Sequence, residues 1–158
     1  MSVVEQPTVT AIDALARVEE VIDLASVRRK LADPGEGRGY SAAELDSMER
    51  EYRRYLALQL AFPEATIVPC RIVDELWHQH ILDTRAYAVD CERLFGSFLH
   101  HYPYFGMRDE AEAEELRDAY ADTLERYRVA FGEPPAGTWV SADAAKCSRT
   151  ACKPQKCR

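Results

Sequence analysis

The segment at 41–63, SAAELDSMEREYRRYLALQLAFP, carries the clearest structural signal in this chain. Ser41 with Glu44 three residues later forms a capping box, in which each side chain satisfies a backbone N–H at the start of a helix. Pro63 predicts the end of that helix, because proline cannot continue the backbone hydrogen bonding. Between them, apolar residues recur every three or four positions and predict one broad buried face: Leu45, Met48, Tyr52, Tyr55, Leu56 and Leu60.

The same helical periodicity extends through most of the chain, and no stretch shows the sustained alternation of a strand. We therefore predict an all-α fold, a compact bundle of about five helices. The first is expected from about Ile12 to Leu31, and the third from about Pro69 to Asp83. Thr84 is a candidate cap for the fourth, whose end would deliver His100 and His101. A fifth helix is expected from a cap at Asp109 to Gly132.

Composition predicts one folded domain at 1–133, followed by a flexible basic tail at 134–158. The chain has 158 residues, of which 47% are hydrophobic, enough for a single core. After Pro134 it becomes rich in Pro, Ala, Ser, Lys and Cys, with few large apolar residues. The net charge of -7 argues against nucleic acid as the main partner. Without a signal peptide or a long apolar run, we expect a cytoplasmic protein that does not enter a membrane.

All four histidines fall within 78–101, so any imidazole chemistry centres there. Asp74 and His78 lie four residues apart and share one helix face, a spacing that suits a shared metal ion or proton. His80 lies about 200° around the helix from His78, so a straight helix cannot aim both rings at one ion. His100 and His101 diverge in the same way, and only one of them is expected to face inward.

The candidate metal site therefore consists of Asp74, His78 and either His100 or His101, with zinc or iron as the expected ion. Three protein ligands leave room for water. Residues that could support the site are His80, Asp83, Asp90 and Cys91. The alternative is that these histidines are hydrogen-bonded core residues on packing helices, without a metal.

These motifs also resemble a known family. WHQHILDT at 77–84 and HHYPYFG at 100–106, with Tyr87, Asp90-Cys91 and Phe95-Gly96 between them, resemble the glycine-rich domain-containing protein-like family. The resemblance covers about Tyr52 to Gly106 and implies a helical module with its site in this region. The chain has only seven glycines and lacks the glycine-rich and RNA-binding segments of longer plant relatives, so RNA-linked roles are not implied.

The end of the chain carries a second group of candidate ligands, Cys147, Cys152 and Cys157. Three thiols make an incomplete tetrahedral site for zinc, whereas Cu(I) accepts soft ligands more readily. The flanking Lys and Arg residues would favour thiolates. Alternatively, the tail is a substrate for a modifying enzyme, binds a protein partner, or is an incidental basic extension.

Three function classes follow from these patterns. The favoured one is a metal-binding accessory or adaptor protein. The second is a carrier or precursor whose cysteine tail transfers metal or is modified. The third is a small metalloenzyme that uses the same His/Asp site with metal-bound water or oxygen as the reagent. No phosphate loop, His-Glu-x-x-His run or nucleophile elbow is present, so the sequence does not decide whether the protein is an enzyme.

Overall fold

The computed structural model describes residues 9–140, and this part of the chain is all-helical, without strands. The predicted fold class is confirmed, but the described residues form six helices rather than about five. They are α1 (Ala11–Val21), α2 (Ala25–Ala32), α3 (Ala42–Ala61), α4 (Arg71–Leu82), α5 (Thr84–Phe95) and α6 (Glu110–Phe131).

The additional helix arises because the predicted first helix is broken at residues 22–24. Ile22 and Leu24 are both buried, at 4% and 1% exposure, and a continuous helix would point them to nearly opposite sides. The side chain of Asp23 accepts a hydrogen bond from the backbone of Ala25, which favours a new helix start. Arg53 of α3 donates to the carbonyl of Ile22 and so satisfies a group that the break exposes.

α3 is the central helix, and it packs against α1, α2, α4 and α6. Its capping box at Ser41 and Glu44 is confirmed, and the helix ends at Ala61, before Pro63. Buried residues occur on several of its sides, which explains how it contacts so many neighbours: Leu45, Met48, Glu51, Tyr52, Tyr55, Leu56, Ala57, Leu58 and Ala61.

α4 and α5 meet at Asp83, whose side chain accepts a hydrogen bond from the backbone of Ala86. We predicted Thr84 as the cap of this helix, but the cap is Asp83, and Thr84 is the first residue of α5. α5 ends at Phe95, because Gly96 adopts the left-handed conformation with φ of 67°. Both His100 and His101 consequently lie in the loop after α5, and the expectation that a helix end delivers them is wrong.

Ordered packing continues past residue 133. Trp139 is 6% exposed, contacts the rings of Tyr120 and Tyr127, and donates a hydrogen bond from Nε1 to the buried carboxylate of Glu51. Predictions about Cys147, Cys152 and Cys157 lie outside the described residues. None of the helices within 9–140 combines the length and the apolar character that crossing a membrane requires.

Candidate metal centre

The structure brings Asp74, His78 and His101 together in one cluster. Each offers one ligand atom, and these atoms all lie within 4.8 Å of one another. Asp74 is buried, and the side chains of His78 and His101 are 20% and 14% exposed. Among residues 9–140, this is the group whose donor atoms converge closely enough to hold a metal ion.

α4 positions two of the three side chains. Asp74 and His78 lie one helical turn apart, and Nδ1 of His78 is 3.5 Å from Oδ2 of Asp74. The same Nδ1 is 2.5 Å from the backbone carbonyl oxygen of Asp74. Because a carbonyl oxygen can only accept, Nδ1–H donates and the lone pair of the neutral ring lies on Nε2. Such a backbone hydrogen bond orients metal-binding histidines in many proteins.

The loop after α5 supplies the third side chain, and two aromatic residues hold it in place. His101 stacks on Trp77 with ring centroids 4.3 Å apart, and its Nε2 lies 2.9 Å from Oδ1 of Asp74. The loop is fastened by Tyr87, which accepts a hydrogen bond from Nε1 of Trp77 and donates one to the carbonyl of Leu99. Tyr87 thus links α4, α5 and the loop that carries His101.

The distances in the cluster suit a small transition-metal ion after minor adjustment. Metal–ligand bonds of about 2.0–2.2 Å place neighbouring donor atoms about 3–3.6 Å apart. The separation of 2.9 Å between Nε2 of His101 and Oδ1 of Asp74 already falls near this range, and the ligand nitrogen of His78 would be Nε2. The widest separation that the cluster permits, 4.8 Å, would close with a side-chain shift on the order of 1 Å.

The structure does not bring His80 into this cluster. Its Nδ1 lies 2.7 Å from the Tyr52 hydroxyl, and its Nε2 lies 2.8 Å from Oδ2 of Asp90. His80 is 3% exposed, and this burial lowers its pKa below the ordinary 6.5, although the hydrogen bond to Asp90 acts in the opposite direction. A neutral His80 can donate to Asp90 and accept from Tyr52, so it joins three helices as a core residue.

The other candidates also lie outside the cluster. His100 is exposed and contacts the ring of Phe98, so the inward-facing member of the adjacent pair is His101. Asp90 orients His80 rather than the cluster, and Asp83 caps α5. Cys91 is buried, and burial raises the pKa of its thiol.

Sequence reasoning missed the residues that support the cluster. Tyr87, Trp77 and Leu99 form the hydrogen-bond chain that fixes the His101 loop, and Tyr52 is the partner of His80. Tyr52 lies 28 positions from His80 along the chain, and no local spacing signals such a contact. Trp77 and Tyr87 are both buried, at 4% and 1% exposure.

A cleft of about 500 Å³ adjoins the cluster, with Asp74 and His101 in its wall. Apolar residues make up much of the remaining wall, including Trp77, Leu99 and Leu116. His78 is not part of the wall, so two of the three members of the cluster line the cleft.

The comparisons with known proteins give a family but no activity. No curated protein and no solved structure matches the chain. The model of the UCP032817-like family matches residues 24–130. This range contains α2 to α5 completely and α6 except for its last residue. This match covers more than half of the chain and contains Asp74, His78 and His101. The chain therefore belongs to the UCP032817-like family.

Proposed function

We propose that this helical domain binds one divalent transition-metal ion, zinc or iron, through Asp74, His78 and His101, and acts as a metal-binding accessory or adaptor protein. The observation that carries the proposal is the convergence of two imidazoles and one carboxylate from α4 and the following loop. Two of these residues share a helix face, while the third arrives from a loop fastened by hydrogen bonds.

The donor set supports zinc or iron rather than calcium or magnesium. Calcium and magnesium prefer oxygen ligands, whereas imidazole nitrogen suits zinc, iron, copper and nickel. Two histidines with one carboxylate occur in zinc sites and in iron sites that keep open positions. Three protein ligands leave at least one position for water, a small molecule or a partner's side chain, which is compatible with both an adaptor and a metalloenzyme.

Elemental analysis of protein purified without a His-tag tests the proposal. We expect about one equivalent of metal per chain in the wild type, and its loss in His78→Ala and His101→Ala. His100→Ala is the matched control, because His100 is the exposed neighbour of His101 and should retain the metal. Circular dichroism checks that each variant keeps its helical content. Equal metal content in His101→Ala and His100→Ala would refute the proposed ligand set.

The cysteine tail requires its own variant. Replacing Cys147, Cys152 and Cys157 together by Ser leaves the chain length unchanged and removes the thiols. Metal retained in this variant supports the His/Asp site, whereas metal lost only there favours the carrier role, with copper as the expected ion. The carrier role, a partner for the tail and the relation to the glycine-rich domain-containing protein-like family stay proposals from the sequence motifs.

A further inference from the structure

The cleft beside Asp74 and His101 suggests what occupies the open coordination position. From its walls and charges we infer that it binds a small organic monocarboxylate, with the carboxylate on the metal and an apolar body in the cleft. This inference rests on the proposed metal centre and names the ligand class of the same site.

The size and walls of the cleft fit a small molecule. Its volume of about 500 Å³ lies within the range of small-molecule sites, about 300–1,000 Å³. Ile67, Val68, Leu99 and Leu116 supply aliphatic surface, and Trp77 supplies an aromatic ring. Transfer of an apolar body from water to such walls is favourable.

The charges at the site favour a single carboxylate as the ligand group that binds the metal. The residues that line the cleft within 9–140 include no lysine or arginine, so the metal would be the cationic group of this wall. A divalent ion held by the Asp74 carboxylate and two neutral imidazoles has a net charge of about +1, which one carboxylate neutralises. Glu115, which also lines the cleft, adds negative charge and disfavours a dianion.

The polar residues of the wall can orient such a ligand. Tyr55 and Gln59 lie in the wall, and Nε2 of Gln59 donates to the Tyr55 hydroxyl at 2.8 Å. Tyr55 is 0% exposed, so this bond fixes the side chain of Gln59, which is half-buried and can meet a ligand in the cleft. A few fixed polar groups among apolar walls are typical of sites for small organic molecules.

Cobalt-loaded full-length protein allows metal binding and ligand binding to be read separately. Visible absorption of bound Co²⁺ reports occupancy of the metal site, and a change in that spectrum reports a new ligand on the ion. Three probes are used. Phenylacetate offers both a carboxylate and an apolar body, acetate offers only the carboxylate, and 2-phenylethanol offers only the apolar body. We expect phenylacetate to bind at least about tenfold more tightly than either of the others.

A matched pair of variants tests the cleft itself. Ala65→Trp places a large ring in the wall of the cleft and should weaken phenylacetate binding at least about tenfold while the cobalt spectrum persists. Ala121→Trp places the same ring on an exposed position of α6 outside the cleft and should leave both readouts unchanged.

The outcomes separate the two proposals. Cobalt binding with no spectral response to phenylacetate, or with equal affinity for acetate and phenylacetate, would overturn the ligand inference and leave the metal site intact. Failure of the wild type to bind cobalt would overturn both. Unchanged phenylacetate affinity in Ala65→Trp would show that the ligand does not use this cleft.

Discussion

Replacing Tyr87 by Phe removes one oxygen atom that connects three parts of the candidate site. The Tyr87 hydroxyl accepts a hydrogen bond from Nε1 of Trp77 at 2.9 Å and donates one to the carbonyl of Leu99 at 2.5 Å. Trp77 is 4% exposed and Tyr87 1% exposed, so water cannot readily replace the lost partner. The substitution therefore leaves a buried indole N–H without its acceptor.

The expected cost follows from these two hydrogen bonds. An unsatisfied buried donor costs about 1–3 kcal/mol, and loss of the second hydrogen bond adds about 1 kcal/mol. We expect the free energy of unfolding of metal-free Tyr87→Phe to fall by about 2–4 kcal/mol. Because Leu99 lies two residues before His101, metal affinity should also fall by about tenfold or more.

Equilibrium unfolding in urea, followed by far-ultraviolet circular dichroism, measures the stability change. Tyr104→Phe is the control, since Tyr104 is 56% exposed and its loss should change stability by less than about 0.5 kcal/mol. A double-mutant cycle with Trp77→Phe isolates the hydrogen bond, and we expect a coupling of about 1–3 kcal/mol. Additive effects in the cycle, or a Tyr87→Phe cost no larger than the control's, would refute the reasoning.

Buried polar groups elsewhere give three further measurable effects. Glu51→Ala should lower the free energy of unfolding by about 3–5 kcal/mol, because the buried carboxylate pairs with arginines and accepts from Trp139; a loss below about 1 kcal/mol in urea would contradict this. Burial lowers the pKa of His80, so the unfolded state takes up the proton first and stability should fall as pH drops below about 6.5, by up to about 1.4 kcal/mol per pH unit. In metal-free His80→Gln this fall in the free energy of unfolding below about pH 6.5 should be absent. Parallel plots of unfolding free energy against pH for the wild type and the variant would argue against a role of His80. Burial raises the pKa of Cys70 to about 12, so iodoacetamide should label Cys70 in urea but not in the folded chain at neutral pH. Peptide mass spectrometry reads the labelling, and rapid labelling of the folded protein would contradict this prediction.

Most helices could be predicted from the sequence because their signals are local. The capping box at Ser41, the cap at Asp109 and the end at Gly132 each depend on residues within one or two turns. The exception is the break between α1 and α2, where no glycine or proline stands at residues 22–24. Burial of both Ile22 and Leu24, and the hydrogen bond from Arg53, decide that break through contacts with α3.

The candidate site likewise has one part that the sequence predicts and another part that only packing decides. The shared face of Asp74 and His78 follows from the geometry of one helix, and so does the exclusion of His80 from that face. The choice of His101 over His100 does not follow, because both lie in a loop without a fixed period. Contacts of that loop with Trp77 and Tyr87 make the choice.

The sequence by itself therefore determined an all-α chain and one helix face that offers a carboxylate and an imidazole. Tertiary structure alone decided the third member of the cluster, the partners of His80 and the cleft beside Asp74. The physical reason is the range of the interactions. Helix periodicity and capping act over a few residues, whereas the Tyr52–His80 contact and the walls of the cleft join segments that only packing brings together.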